Sequence, residues 1–250
     1  MTRVLITGAA GTIGKQVSTH LIDKYELTLV DHSFEKFPEK LKTKANIIEA
    51  NLSKRSSWDG LLDDIDIVIQ FAADPSPEAE FYDSLMDANY KLPHNLYDEA
   101  LKSDSLKRII FASSIHTIDA YPPNKQVSPA EPPRPNDLYG VSKVYLEALA
   151  AHYAYTHGVE SIGIRIGDYK SSLSEFLTRS GPQGLAAYLS KDDFNHLIDC
   201  CLTAQLSEPL LIINGLSNNT FNRMEIESAR EKVGYQPTDN AFESYPYNSK

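Results

Sequence analysis

The chain has 250 residues, 42% hydrophobic and 23% charged, the make-up of a water-soluble globular protein with one sizeable core or one large domain and a smaller lobe. Its formal net charge of −10 argues against nucleic acid as a partner, yet leaves small anionic substrates open, because a site can be locally positive. No run approaches the roughly 20 consecutive apolar residues of a membrane span, and Met1-Thr2-Arg3 passes straight into an apolar strand with no leader-like segment. Cys200 and Cys201 are adjacent and read as small helix residues in a reducing compartment, which implies the cytoplasm.

In chain order, short apolar runs alternate with segments of helical period. Strands are expected at residues 4–6, 27–30, 46–48, 65–70, 108–111 and 161–166, several of them apolar on both faces as buried parallel strands are. Helices are expected at residues 13–24, 79–102 and 139–157. Such alternation predicts a doubly wound, Rossmann-type α/β fold: a larger domain over residues 1–168, then a small lobe interleaved with it over 169–250. Proline-bearing loops interrupt the pattern at Asp74-Pro75-Ser76-Pro77, at 121–135, which holds six of the 14 prolines, and at 170–189. Ser190 with Asp193 three residues on reads as an N-cap opening a helix to about Thr203, and residues 244–250 as a frayed end.

The first strand ends in Thr7-Gly8-Ala9-Ala10-Gly11-Thr12-Ile13-Gly14. Glycines placed between a strand and a helix permit a tight turn, approach of a pyrophosphate to bare backbone, and close helix–strand packing. Asp31 ends the second strand, where its carboxylate can accept from both ribose hydroxyls and repel a 2′-phosphate; the cofactor expected is therefore NAD. Asn51-Leu52, after the third strand, stand where they can flank the adenine.

Tyr139 and Lys143 lie four apart on one helix face. Tyrosine titrates near 10, so a neighbouring ammonium is needed to make it a base at neutral pH. The serines Ser113-Ser114 follow the fifth strand, where a hydroxyl can orient a substrate oxygen while Tyr139 takes its proton.

These motifs, with Phe71-Ala72-Ala73 and Asn89, resemble the extended short-chain dehydrogenase/reductase superfamily along nearly the whole chain. The likeness narrows to the uronate dehydrogenases and archaeal NAD-dependent glucose-6-phosphate dehydrogenases at Asp74 to Glu78, at 111–116, at Pro133 to Lys143, at 159–167, at 188–194 and at Gly234 to Ala241. The resemblance implies oxidation of a sugar's anomeric hydroxyl to a lactone, with Ser114, Tyr139 and Lys143 catalytic. It puts Phe71, Ala72, Ala73, Asn89, Ser113 and Ile166 with the cofactor, and Asp74, Ser76, Ile115, His116, Arg165 and Gln183 with a small-molecule sugar, sugar acid or sugar phosphate. No metal is expected, and a homodimer is, through the two long helices. Two positions depart from the pattern: Ile115 replaces an asparagine, and Gln183 aligns with the arginine that grips the substrate's anionic group, Arg179 standing four residues earlier. Epimerisation or dehydration of a nucleotide sugar, carbonyl reduction, and a non-catalytic NAD-binding regulator are the alternatives at this stage.

Overall fold

The computed structural model describes residues 1–179 and 182–245, without the side chains of 175, 178, 179, 182 and 183; the expected fraying thus falls mostly outside the described residues. Strands β1 (Arg3–Thr7), β2 (Glu26–Asp31), β3 (Asn46–Glu49), β4 (Ile67–Gln70), β5 (Arg108–Ser114) and β6 (Ser161–Ile166) all enter one sheet. β7 (Asp168–Lys170) and β8 (Tyr188–Ser190) pair separately, and β9 (Leu210–Gly215) closes the main sheet, whose order is β3-β2-β1-β4-β5-β6-β9. Every pairing between these strands is parallel.

Helices α1 (Thr12–Leu21), α2 (Glu39–Lys42), α3 (Leu92–Ala100) and α4 (Leu138–His157) connect the first six strands. The expected helix at 79–102 begins as a π-helical segment, Phe81–Lys91, and passes directly into α3. Beyond β6 come α5 (Leu173–Arg179), α6 (Pro182–Leu185), α7 (Lys191–Thr203), α8 (Glu227–Val233) and α9 (Ala241–Ser244). The Ser190 hydroxyl caps α7 by accepting from the Asp193 N–H at 3.1 Å, as the sequence pattern predicts.

Two-sided burial explains why the strands read as continuous apolar runs. Along β1, Val4 and Ile6 face a layer with Val17 and Leu21 of α1 and Leu197, Ile198 and Cys201 of α7. Leu5 points the other way, to Trp58, Leu96 and Tyr97 on and before α3, and Leu146, Ala150 and Tyr153 of α4. Alternation at period two across a sheet covered on both faces requires this arrangement.

The segment expected as an interleaved substrate lobe contributes differently along its length. β9 extends the main sheet beside β6, and α7 packs on α1, so both belong to the large core. A small separate cluster gathers Phe176, Leu185, Tyr188 and Ala241 from α5, α6, β8 and α9. The proline-rich loop is held by Arg223, which donates to the carbonyls of Tyr121 at 2.7 Å and Pro122 at 2.8 Å. The sheet thus presents the C-terminal ends of β1, β2, β4, β5 and β6 to one cleft, on both sides of the strand-order reversal between β1 and β4.

Candidate active site

The cleft measures about 1580 Å³, well beyond the roughly 300–1,000 Å³ that one drug-sized ligand occupies, so a dinucleotide and a small substrate fit together. At its floor the backbone of Gly8 adopts φ 67°, and a Cβ there would stand 2.6 Å from the Ala72 nitrogen. A Cβ on Gly14 would stand 2.1 Å from the Gly8 oxygen, so only glycine lets α1 meet the end of β1 this closely. Gly11 caps α1 with no side-chain acceptor, leaving the first-turn N–H groups and the positive end of the helix dipole for phosphate oxygens. Asp31 accepts from the Ala10 N–H at 2.8 Å and the His32 N–H at 2.7 Å, and so braces the glycine turn while lining the cleft. With Thr12, Ile13, Asn51, Leu52, Phe71, Ala72, Ala73 and Ile166 also on its walls, the cleft fits NAD in shape and donor set.

The chemical end lies where β5 meets α4. Ser114, the last residue of β5, brings its hydroxyl to the Tyr139 phenol, and its oxygen accepts from the His116 N–H at 3.2 Å. Asp137 is the N-cap of α4, its Oδ1 accepting from the Gly140 N–H at 2.6 Å. Its Oδ2 holds His116 Nδ1 at 2.6 Å, and the imidazole stands edge-on to the Tyr139 ring with centroids 5.3 Å apart. Lys143, one turn further along α4, donates to the Ala112 carbonyl at 2.8 Å and lies 5.5 Å from the Tyr139 ring centre. Ile115 and Asp74 complete this end.

Burial dominates the titration of both side chains. It raises the Tyr139 phenol above its ordinary value of 10, the Ser114 hydrogen bond pulling it down and the carboxylates of Asp137 and Asp74 pushing it up. It lowers the Lys143 ammonium from 10.5 to about 8. The folded chain therefore binds fewer protons at Lys143 than the unfolded chain between about pH 8 and 10.5. Stability from this group is full above 10.5 and is lost as pH falls through 8. At neutral pH the buried ammonium is a liability, and Lys143→Met is expected to raise stability there by up to about 3 kcal/mol. Urea midpoints measured across pH check this: the variant lacks the wild-type rise in stability above pH 8.

The structure does not bring every candidate residue to the cleft. Arg165, expected at the substrate, points instead beneath α4, where Nε and Nη2 each donate to Glu147 at 2.8 Å. Strand alternation causes this: Arg165 pairs in register with Ser113, and Ile166 with Ser114, so the side chains of the first pair turn toward Glu147 of α4 and those of the second to the opposite face. Ser113 lines the cleft, but its hydroxyl is spent on Glu147 at 2.6 Å. Asn89 is buried behind the wall as a clamp. It accepts from the Asp74 N–H at 2.8 Å and donates to the Asp74 carbonyl at 3.0 Å and to Ser142 Oγ at 2.9 Å. Ser76 stands outside the lining and bonds Glu78 at 2.9 Å. The side chains of Gln183 and Arg179 lie outside the described residues.

Asp137, Glu147, the π-helical residues Ser84, Asp87 and Ala88, and the stretch Asp168 to Ser171 also serve or line this region without having been singled out. Asp137 was open to discovery as an aspartate preceding a helix, and Glu147 as the next residue on the Tyr139–Lys143 stripe. Among the described residues, no group of three or more histidines, cysteines and carboxylates is arranged to hold a metal ion.

Residues 4–191 match the model of the NAD dependent epimerase/dehydratase family. The chain is 32% identical to the NAD-dependent glucose-6-phosphate dehydrogenase of Haloferax volcanii, over 96% of this chain and 94% of that protein. It is 28% identical to the L-arabinose 1-dehydrogenase (NAD(P)(+)) of the same organism, over 96% and 98%. Its fold superposes with a TM-score of 0.84 on a mutant uronate dehydrogenase from Agrobacterium tumefaciens complexed with NAD, at 28% identity, covering 97% of this chain and 87% of that one.

Proposed function

This chain belongs to the NAD dependent epimerase/dehydratase family, and on that premise we propose that it is an NAD-dependent dehydrogenase oxidising the anomeric hydroxyl of a cyclic sugar, sugar acid or sugar phosphate to the lactone. The observation that carries this reading is the meeting of Ser114, Tyr139 and Lys143 at the chemical end of a cleft built for a dinucleotide. Relatives named for oxidising glucose 6-phosphate, arabinose and uronate support the substrate class.

NAD, when bound, supplies the hydride acceptor. The chain's residues handle the other half of the oxidation, the proton. Ser114 orients the substrate hydroxyl beside Tyr139, and Tyr139 Oη takes its proton as the hydride leaves the same carbon. The Lys143 ammonium sustains the phenolate that must precede this step, against the burial and the carboxylates that oppose it. His116, held by Asp137 through Nδ1, lines the substrate end, as does Asp74, whose backbone is fixed by Asn89. Ser113 and Asn89 enter this scheme as supports for neighbouring groups.

A homodimer and a cytoplasmic site belong to the same proposal. Tyr82 on the π-helical segment and Leu138, Val141 and Tyr155 on α4 leave apolar surface exposed along the two elements expected to pair with a second copy. A native mass of one 27.9-kDa chain at micromolar concentration would contradict the dimer. Both cysteines are free, and among the described residues no helix is long and apolar enough to cross a membrane.

The direct test of function is NADH formation by purified protein with NAD and a panel of glucuronate, galacturonate, glucose 6-phosphate and neutral aldoses. Oxidation of one sugar class with release of its lactone is expected. NAD binding without NADH from any of them would remove the sugar dehydrogenase reading.

A further inference from the structure

Tyr139, Lys143 and Glu147 leave α4 as one stripe, each a turn beyond the last. All three reach β5: the Tyr139 phenol meets the Ser114 hydroxyl, Lys143 donates to the Ala112 carbonyl at 2.8 Å, and Glu147 accepts from the Ser113 hydroxyl at 2.6 Å. The third tie differs from the others in being braced. Arg165, the register partner of Ser113 on β6, grips both oxygens of Glu147 through Nε and Nη2.

Nothing about packing alone calls for these charges. Arg165 is 3% exposed and Glu147 9%, and apolar side chains of similar volume are often at least as stabilising as a buried ion pair. A bidentate fork, however, fixes distance and angle together, which apolar contact does not. The pair stands two turns below the hydroxyl of Tyr139, on the same stripe and the same strand pair.

We propose that Glu147, clamped by Arg165, is a positioning residue that sets the height and rotation of α4 on β5, and with them the approach of Tyr139 to Ser114 and Lys143. The inference rests on Tyr139 being the base. Glu147 acts through Ser113 and the helix and touches neither substrate nor cofactor. The charged and titratable groups around Tyr139 are Asp74 from the loop after β4, His116 and Asp137 from the connection into α4, and Lys143. Loosening the clamp leaves them in the protein and changes their distance from the phenol.

The test compares wild type with the double variant Glu147→Leu/Arg165→Met, which removes both charges and keeps apolar bulk, and with Ser113→Ala, which cuts the tie and leaves the ion pair whole. The titration of Tyr139 is followed by NMR of ring-labelled tyrosine with NAD present, and assigned by Tyr139→Phe. In the double variant, Tyr139 is expected to titrate about one pH unit higher as the Ser114 hydrogen bond loosens. Its kcat on the sugar that wild type oxidises is expected to fall about ten-fold or more, with the KM for NAD unchanged. Ser113→Ala should shift both in the same direction by about three-fold, the size of one weakened hydrogen bond.

An unchanged Tyr139 titration in a folded double variant overturns the proposal. Should the double variant fail to fold, an unchanged titration in Ser113→Ala overturns it alone. A Tyr139→Phe protein that still forms NADH at the wild-type rate would remove the base assignment itself, a separate failure from that of the clamp.

Discussion

Tyr139→Phe is expected to lower the rate of NADH formation by about 10²–10⁴-fold, the range for losing a general base, with NAD binding unchanged. The substitution deletes one oxygen from a nearly buried ring and leaves the ring's edge contact with His116 in place. Ser114 keeps its bond from the His116 N–H, and Lys143 keeps its bond to the Ala112 carbonyl, so the neighbours have no reason to move. What disappears is the atom to which the proposed mechanism delivers the proton. Single-turnover rates, read beside NAD affinity from calorimetry, separate that loss from a defect in cofactor binding. Retained turnover would move the base to His116, a second titratable side chain at this end of the cleft, whose Asp137 partner already orients its ring.

Arg165→Met is expected to destabilise the fold by about 3–5 kcal/mol, because it strands a buried carboxylate. Glu147 would keep only the Ser113 hydroxyl, having lost two donors at 2.8 Å with little solvent to replace them. Against the typical total of roughly 5–15 kcal/mol, this is a large share of the stability. Replacing Glu147 by Leu in the same chain should restore most of it, since the penalty belongs to the unpaired charge and not to the missing arginine. Urea unfolding of the two variants tests both statements. A single variant within about 1 kcal/mol of wild type would mean that Glu147 takes up a proton or reaches water when released.

The fold was legible because its signals are local and repeated. Apolar runs buried on both faces, glycines between the first strand and helix, and Asp31 at the end of the second strand each constrain one neighbourhood, and together they fix a parallel sheet. β9 escaped because Leu210–Gly215 is one short apolar run with no strong helical pattern after it to complete a strand–helix alternation, and its partner β6 lies far away in sequence. The glycine turn and Asp31, which line the cleft together, were legible for the same local reason.

That Ser114, Tyr139 and Lys143 come together was legible in the sequence, and the directions of their neighbours less so. The sequence reading ended the fifth strand before the serines, whereas β5 runs through Ser114. Inside a strand, neighbours point to opposite faces, so Ser113 goes to Glu147 and Ser114 to Tyr139. The same alternation sends Arg165 under the helix and Ile166 to the cleft. A one-residue difference in a strand end exchanges these roles, and no local pattern fixes it. Asn89 is a parallel case. It sits on a π-helical segment, whose wider winding redirects side chains relative to the regular helix expected there.

The most direct test of the central claim is NADH absorbance from purified protein, NAD and the sugar panel, run for wild type and Tyr139→Phe side by side. A rise with at least one sugar class, accompanied by its lactone and lost in Tyr139→Phe, is the predicted result. Identical traces from the two proteins, with NAD bound by both, would contradict the assignment of Tyr139 as the base of a sugar dehydrogenase.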